Sequence, residues 1–149
     1  MIMFQEEFAK SKGRPIIYKR KTLRMYDSFP VPVGRSQLHF RFISTKSEWK
    51  QGIRLKTSGY FIVHGQVCRK PMSIWEHTAP SEDTLDCVSR DGLIEVINEW
   101  INSRGGIEYW YNGAAMISEE IRNGRRYYCN DGHPNDDFTD LVFELTRIL

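Results

Sequence analysis

Four histidines are the side chains best suited to acid–base chemistry near neutral pH, because an unperturbed imidazole titrates at about 6.5. His64 and His77 fall on neighbouring segments that read as strands, where two imidazoles can form a general acid–base pair of the kind that RNases use. No glycine-rich phosphate loop, Gly-x-Ser-x-Gly or His-Glu-x-x-His motif accompanies them. An RNase-like enzyme is therefore the lowest ranked of three functional hypotheses, and no catalytic residue is assigned.

Cys129 and His133 have the spacing of paired metal ligands, with Asp131 between them. A structural zinc site usually has a second such pair, and the sequence contains none. The odd number and wide spacing of the cysteines, which include Cys68 and Cys87, favour reduced thiols over disulfides. We therefore expect neither a bound metal nor a cofactor.

A basic segment with interleaved tyrosines runs from Lys10 to Arg24 and holds seven cations in fifteen residues. Cations neutralise phosphates and tyrosines stack on bases, which is how single strands are held without reading their sequence. A solvated edge that keeps the protein soluble is the competing interpretation. The residues predicted to carry nucleic-acid binding are Tyr18, Lys19, Arg20, Lys21 and Arg24.

Acidic residues supply the candidates for contact with a protein partner. A negative surface imitates nucleic acid and can occupy the basic cleft of a nuclease. Asp136 and Asp137 have a simpler explanation, because they precede an apolar stripe that reads as a helix. Glu82, Asp83 and Asp86 have no such local explanation and are the predicted acidic contacts.

Three consecutive aromatic residues add a second kind of candidate contact. If Tyr109 to Tyr111 form a strand, alternation puts Tyr109 and Tyr111 on one face and Trp110 on the other. Exposed Tyr and Trp side chains are typical anchors of protein interfaces. We predict that Tyr109 and Tyr111 bind a partner, with core filling equally favoured for Trp110.

The charge of the chain is divided between its two halves. Residues 1–58 carry 13 Lys/Arg and 4 Asp/Glu, whereas residues 59–149 carry 8 and 15. If the halves form opposite faces, the protein has one positive and one negative surface. If their strands interleave, much of the charge pairs internally.

Strands and helices are expected to alternate along the chain and to form one domain, residues 1–149. Phe4 and Phe8 indicate a short amphipathic helix. Alternating Leu38, Phe40 and Phe42 predict a strand over Gln37 to Ser44. The acidic stretch from Ala79 to Cys87 reads as a loop.

Two longer amphipathic helices complete the expected fold. The first follows Ser89 as N-cap, and the second covers the last twelve residues. Their apolar stripes are Leu93, Ile97, Trp100 and Ile101 in the first, and Phe138, Leu141, Val142, Leu145, Ile148 and Leu149 in the second. Between them, an Asn-Gly pair at 123–124 predicts a β-hairpin.

The resulting fold class is α+β, an antiparallel sheet or sheets with two amphipathic helices in the order ββββα–βββα. This element order resembles the doubled four-strand-plus-helix layout of the Whirly and PUR single-stranded nucleic-acid-binding domains, which some bacterial toxin-immunity proteins share. The resemblance implies a binding domain rather than an enzyme.

The leading functional hypothesis is a non-enzymatic macromolecule-binding protein of bacterial or phage type. We expect an immunity or inhibitor protein that neutralises a toxin or another protein partner; the alternative is a single-stranded nucleic-acid-binding module. Apolar stretches shorter than the ~20 residues of a membrane span indicate no membrane partner. The N-terminus lacks the features of a secretory signal, so a cytoplasmic location is expected.

Overall fold

Antiparallel β-strands account for most of the secondary structure. The computed structural model describes residues 3–149, and within this range one helix, α1, spans Phe4–Lys10. The strands are β1 (Ile16–Tyr18), β2 (Lys21–Leu23), β3 (Asp27–Pro30), β4 (Gly34–Thr45), β5 (Lys50–Thr57), β6 (Tyr60–Val63), β7 (Gln66–Cys68), β8 (Met72–Trp75), β9 (Glu82–Ser89), β10 (Leu93–Ile101), β11 (Ile107–Tyr109), β12 (Ala115–Ile121), β13 (Gly124–Asn130) and β14 (Leu141–Ile148).

The larger sheet has seven strands in the order β12-β13-β14-β4-β9-β6-β7, all paired antiparallel. The central strand, β4, turns Leu38, Phe40 and Phe42 towards the buried side. This alternation confirms the strand predicted over Gln37 to Ser44.

The smaller sheet has five strands in the order β11-β10-β5-β8, with β3 also paired to β10. β5 pairs along one edge of β10 from Ile94 to Ile101, so β3 and β11 share the other edge. β1 and β2 form a separate two-stranded hairpin.

The two large sheets pack face to face over one hydrophobic core. Leu38 and Phe40 of β4, Ile53 and Leu55 of β5 and Ile94 of β10 belong to the same cluster of buried side chains. Removing this apolar surface from water is the dominant favourable term in folding. Each sheet therefore keeps one outer face; Glu82 and Asp86 lie on that of the larger sheet and Tyr109 on that of the smaller sheet.

A smaller apolar cluster attaches the N-terminal helix to the sheets. Phe4 and Phe8 of α1 are buried against Leu23, Ala115 and Phe138. The short amphipathic helix predicted from the two phenylalanines is confirmed.

The two longer helices predicted from apolar stripes are wrong, because both segments are central strands. In β10, Ile94, Val96 and Trp100 point into the core, and Ile97 on the opposite face is buried as well. A strand that is buried on both faces has apolar residues at spacings of three and four as well as two. Its composition then fits a helical period by coincidence.

The C-terminal strand β14 misled the sequence prediction for the same reason. Leu141, Phe143 and Leu145 point into the core, while Val142 on the other face is also buried. Hydrogen bonds to β13 and β4 along both edges fix this segment as a strand. Pairing across the sheet overrides a local pattern that allows either structure.

The predicted α+β class, its ββββα–βββα order and the likeness to Whirly and PUR domains are therefore incorrect. The acidic stretch predicted as a loop is also largely a strand, because β9 lies between β4 and β6 with Leu85 and Cys87 turned inward. No helix within residues 3–149 is long and apolar enough to cross a bilayer.

The predicted β-hairpin is confirmed, with its turn one residue earlier than expected. Ile121 pairs with Gly124, so Arg122 and Asn123 form the turn, and Asn123 has a φ of 64°. Gly124 begins β13 against β14, where a Cβ atom would lie 2.1 Å from the carbonyl oxygen of Leu145. Glycine is required there by the close approach of backbone rather than by the turn.

Candidate functional site

A row of four paired residues crosses the outer face of the smaller sheet. Trp75 of β8 pairs with Gly52 of β5, Gly52 with Glu99 of β10, and Glu99 with Tyr109 of β11. Residues paired in this way project from the same face of a sheet. The next residue of β5, Ile53, points into the core, so this aromatic row faces outward.

Gly52 makes room for the Trp75 side chain. A Cβ atom on Gly52 would lie 2.5 Å from a carbon of the Trp75 ring, closer than any real Cβ contact. The indole therefore packs directly on the backbone of β5. A side chain at position 52 would displace the tryptophan from this position.

Glu99 is the unusual member of the row, because its side chain is fully buried. Neither carboxyl oxygen forms a hydrogen bond of good geometry with any residue that the structure describes. Burial raises the pKa of Glu99 above its ordinary value, while Ser73 and the charge of Arg54 act in the opposite direction. The outer face thus contains a carboxyl group that is held away from water without a full set of partners.

Arg54 lies beside this carboxyl group and on an aromatic ring. Its guanidinium carbon is 5.1 Å from the centre of the Tyr109 ring, within the range of a cation–π contact. Arg54 pairs with Ile97 in the register next to the Glu99 row. The guanidinium is therefore positioned by an aromatic ring and by a nearby carboxyl group.

The aromatic row continues into a group of exposed apolar side chains at the end of β11. We call Ile107, Tyr109, Trp110 and Tyr111 the aromatic edge; their exposed fractions are 57%, 41%, 37% and 45%. The alternation expected for a strand does not extend past Tyr109, where β11 ends, so all three aromatic residues are exposed. Trp110 has a φ of 43°, a left-handed conformation that is uncommon for a bulky residue.

The segment that follows is anchored to the N-terminal helix. The Gln5 backbone N–H donates to the Asn112 carbonyl oxygen (2.9 Å), and the Asn112 N–H donates to Gln5 Oε1 (3.1 Å). These two bonds fix one end of the aromatic edge, and pairing of β11 with β10 fixes the other.

Basic side chains lie along β5 on the same outer face as the aromatic row. Lys50, Arg54 and Lys56 alternate along β5 with residues of the core, so all three project outward. Among the residues of β8 and β10 that pair with β5, the exposed carboxylate is that of Glu95, which is paired with Lys56. The face is consequently aromatic and basic.

The predicted acidic contacts lie on the other sheet, away from Tyr109 and Tyr111. Glu82, Asp83 and Asp86 are all in β9. Asp86 accepts a 2.6 Å bond from Arg35, and Asp83 Oδ2 lies 2.7 Å from His64 Nε2. The hydrogen bond from His64 is the main reason why the pKa of Asp83 is lowered.

Glu82 belongs to a row of alternating charges across the outer face of the larger sheet. In register, Glu119, Arg126, Glu144, Arg41 and Glu82 lie side by side on β12, β13, β14, β4 and β9. Glu144 sits between Arg126 (2.6 Å) and Arg41 (3.0 Å). Burial works in the other direction, but bonds from these two arginines hold the pKa of Glu144 below its ordinary value. The two charged halves of the sequence therefore interleave on this face.

The predicted nucleic-acid-binding residues are divided between two places. Lys19 and Arg20 form the tip of the β1–β2 hairpin with φ angles of 47° and 65°. Tyr18 (3.0 Å) and Lys19 (2.8 Å) both donate a hydrogen bond to Asp136 Oδ2. The bond between Lys19 and Asp136 raises the pKa of Lys19 and lowers that of Asp136. Lys21 lies 5.8 Å from the centre of the Phe138 ring.

Arg24 lies apart from that hairpin. It forms a two-way backbone bridge with Met116 of β12, and its guanidinium lies 4.0 Å from Asp27. The basic segment is therefore not one continuous surface.

The histidines of the enzyme hypothesis lie in different surroundings. His64 bonds to Asp83 and lines an apolar cleft of about 720 Å³ together with Cys68 and Trp75. The His77 ring is exposed and lies 6.2 Å from the Trp75 ring, centre to centre. These contacts leave the RNase hypothesis untested.

A buried polar cluster joins the β4–β5 connection to the segment after β13. Asp131 is fully buried, and its Oδ2 accepts hydrogen bonds from Ser47 Oγ (2.5 Å) and Gln51 Nε2 (3.0 Å). Its Oδ1 lies 2.8 Å from His133 Nδ1, and the His133 ring stacks on Trp49 at 3.8 Å. This cluster holds two connections together.

Two groups in this cluster titrate away from their ordinary ranges. Burial raises the pKa of Asp140 to about 7, although the Asp131 N–H donates to its carboxylate. The pKa of His133 is raised because the bond to Asp131 outweighs its partial burial. Cys129 is buried in the hydrophobic core, and burial raises the pKa of its thiol.

The sequence prediction missed Glu99, Arg54 and Trp75 as parts of the aromatic row. Glu99 falls in the segment predicted as a helix after Ser89 and outside its apolar stripe. The available signal was Gly52 inside a segment of alternating residues, since glycine in a strand often marks close packing by a neighbour.

Comparison with known proteins provides no relative for this chain: no family model, curated protein or solved structure matches it.

Proposed function

We propose that this chain is a non-enzymatic binding protein that holds a protein partner on the outer face of its smaller sheet, in the manner of an immunity or inhibitor protein. The observation that carries the proposal is the aromatic edge. Trp, Tyr and Arg are the residues most enriched among those that dominate binding energy at protein interfaces. Tyr109, Trp110 and Tyr111 are exposed and consecutive in the chain, and Arg54 lies on the Tyr109 ring, which provides this combination.

Rigidity of the aromatic edge supports the proposal further. Tyr109 is held by pairing of β11 with Glu99, and Asn112 is bonded to Gln5. A surface whose side chains are already ordered loses less conformational entropy when it binds. The exposed tyrosines would therefore dock with little rearrangement.

The charge of the surface indicates what kind of partner it fits. Lys50, Arg54 and Lys56 outnumber the exposed carboxylate of Glu95. Complementary charges speed encounter and disfavour wrong partners. We infer an acidic docking surface on the partner, which differs from the basic nuclease cleft expected for contacts through Glu82, Asp83 and Asp86.

The experiment uses toxins encoded next to the gene for this chain as probes. Each purified toxin is mixed with the chain; complex formation is followed by size-exclusion chromatography and toxin activity is measured. The triple variant Tyr109→Ser, Trp110→Ser, Tyr111→Ser should weaken the complex about thirtyfold or more, as loss of ~2 kcal/mol at an interface anchor implies. The control Gln37→Ser, Thr84→Ser, on the outer face of the larger sheet, should bind as tightly as the wild type.

Two variants with altered charge separate the surfaces. Lys50→Glu with Lys56→Glu should slow association with an acidic partner, and Glu82→Gln should leave it unchanged. Absence of a complex with every toxin would contradict the proposed class. Loss of binding in the control variant but not in the aromatic triple variant would contradict the proposed surface. Self-association through the aromatic edge would also contradict it.

A further inference from the structure

A pocket of about 380 Å³ collects cations from distant parts of the chain. It lies between the end of α1, the β2–β3 connection and strand β13. We call it the basic pocket. The residues that line it and bear on its chemistry are Lys12, Arg14, Arg24, Tyr26, Ser28 and Arg125.

Two of these cations, Lys12 and Arg14, belong to the turn that follows α1 and lines the pocket. Lys12 and Gly13 both have positive φ (57° and 80°), which turns the chain sharply after α1. The Gly13 N–H donates to the Phe8 carbonyl oxygen (2.9 Å), and Ser11 Oγ donates to the Arg14 carbonyl oxygen (2.8 Å). These bonds fix the main chain on both sides of Lys12 and Arg14.

The wall of the pocket is rigid. Arg125 Nη1 donates to Asp27 Oδ2 (2.7 Å) and to the Ser28 carbonyl oxygen (3.2 Å). The main chain of Arg24 is fixed by its backbone bridge to Met116, and its guanidinium lies 4.0 Å from Asp27. The Arg125 guanidinium is therefore positioned before any ligand arrives, and this lowers the entropic cost of binding.

Four cations line the pocket, and two carboxylates offset only part of their charge: Asp27 pairs with Arg24 and Arg125, and Glu120 pairs with Arg125. Asp27 is buried and already accepts bonds from Arg125 and from the Tyr127 hydroxyl (2.6 Å). Among residues 3–149, neither Lys12 nor Arg14 takes part in an ion pair. An anion would gain from cations that have no other partner.

We propose that the basic pocket binds a phosphate group. The arginine fork matches phosphate oxygens in two-point geometry, and lysine adds a point charge. Tyr26 lines the same pocket and is 38% exposed, so a base attached to the phosphate has a ring on which to stack. The phosphate is then that of a free nucleotide or of the end of a nucleic-acid strand. No residue of the pocket belongs to the aromatic edge, so each proposal can fail without the other.

The experiment measures binding to the intact chain by isothermal titration calorimetry at low ionic strength. The probes are inorganic pyrophosphate, adenosine diphosphate and one single-stranded oligonucleotide with either a 5′-phosphate or a 5′-hydroxyl. We expect pyrophosphate to bind. The double variant Lys12→Glu, Arg14→Glu should bind it about tenfold to hundredfold more weakly, as expected for lost charge-assisted bonds.

The control variant Lys70→Glu, Arg104→Glu makes the same change in charge at exposed positions outside the pocket. It should retain binding to within about twofold, and thermal melting should show both double variants folded. Tyr26→Ala should weaken the binding of adenosine diphosphate more than the binding of pyrophosphate. Tighter binding of the 5′-phosphate oligonucleotide than of the 5′-hydroxyl form identifies a strand end as the source of the phosphate. Binding of adenosine diphosphate without binding of either oligonucleotide identifies a free nucleotide.

Two results would overturn the proposal. One is the absence of pyrophosphate binding to the folded wild-type chain at low salt. The other is an equal loss of affinity in both double variants, which would show that net charge rather than the pocket holds the anion.

Discussion

The outer face of each large sheet contains a buried glutamate, and the two glutamates differ in their hydrogen-bond partners. On the larger sheet, Glu144 lies between Arg126 and Arg41, and each arginine bonds to it. On the smaller sheet, Glu99 is more deeply buried but has no well-formed hydrogen bond, and its neighbours are Trp75 and Tyr109. One carboxyl group is stabilised in its charged form and the other is not.

This difference indicates which face is complete by itself. The larger sheet satisfies its charges within the chain, so a partner would have to break existing ion pairs in order to use them. The smaller sheet leaves aromatic surface, cations and one buried carboxyl group without full partners. Unsatisfied groups of this kind are more common at functional sites than elsewhere.

The largest effect is expected from removal of the central carboxylate on the paired face. Glu144→Ala leaves Arg126 and Arg41 facing each other across β14 with no negative charge between them. We expect the free energy of unfolding to fall by about 2 kcal/mol, below the range for a fully buried pair because both arginines are partly exposed. Urea denaturation monitored by tryptophan fluorescence measures it. A change under ~0.5 kcal/mol would show that this charge row adds little to stability.

The next effect tests the packing of Trp75 on Gly52. Gly52→Ala puts a Cβ atom 2.5 Å from the indole, so the ring must move off β5. We expect a loss of about 1–2 kcal/mol, in the range for overpacking, together with a shift in tryptophan emission. Gly65→Ala is a suitable comparison at a glycine with open space, where the strain comes from the backbone alone (φ 80°). Unchanged emission in Gly52→Ala would contradict the described packing.

The two carboxyl groups should also respond to pH in opposite directions. The pKa of Glu99 is raised by folding, so its stabilising contribution is present at acid pH and is lost as pH rises through its folded pKa. The pKa of Glu144 is lowered, so its contribution is present above the unfolded pKa and is lost as pH falls through the folded one.

Glu99→Gln should therefore gain stability relative to the wild type as pH rises above the ordinary glutamate range, by about 1 kcal/mol or less. Unfolding of both proteins across pH 4 to 8 measures the difference. Asp140 has a raised pKa of about 7, but it is present in both proteins and its contribution cancels. A difference that does not vary with pH would show that Glu99 is not shifted.

The smallest effect is expected at the exposed end of the charge row. Glu82→Gln removes a carboxylate whose side chain is 58% exposed and which lies 3.6 Å from the His39 imidazole. Exposed ion pairs contribute about 0–1 kcal/mol to stability, so the free energy of unfolding should change by less than ~0.5 kcal/mol. A loss comparable to that of Glu144→Ala would mean that the row acts as one cooperative unit.

Local patterns predicted the parts of the fold whose residues face water on one side. Leu38, Phe40 and Phe42 alternate with polar residues in β4, and Phe4 and Phe8 lie on one side of α1; both elements are as predicted. The segments of β10 and β14 were assigned wrongly because both of their faces are buried, which removes the alternation.

The candidate site was predictable only in part for a similar reason. The sequence points to Tyr109 and Tyr111 as candidate contacts, and both side chains are exposed, while their binding to a partner stays a prediction. Glu99, Arg54 and Trp75 join them through strand pairing over sequence separations that no local pattern reports. Conversely, Asp83 and Asp86 have no explanation in their local sequence, which made them candidate contacts. Their partners in the structure, His64 and Arg35, lie far away in sequence.

Sequence alone determined that this chain divides its charge between two halves and contains a run of three aromatic residues. Tertiary structure decided that the charges of the halves meet across β4, β9 and β14, where Arg41 reaches Glu144 and Arg35 reaches Asp86. It also decided that the aromatic run stays exposed beside Arg54. The physical reason is that antiparallel register sets which side chains are neighbours, and register depends on pairing along whole strands rather than on any one segment.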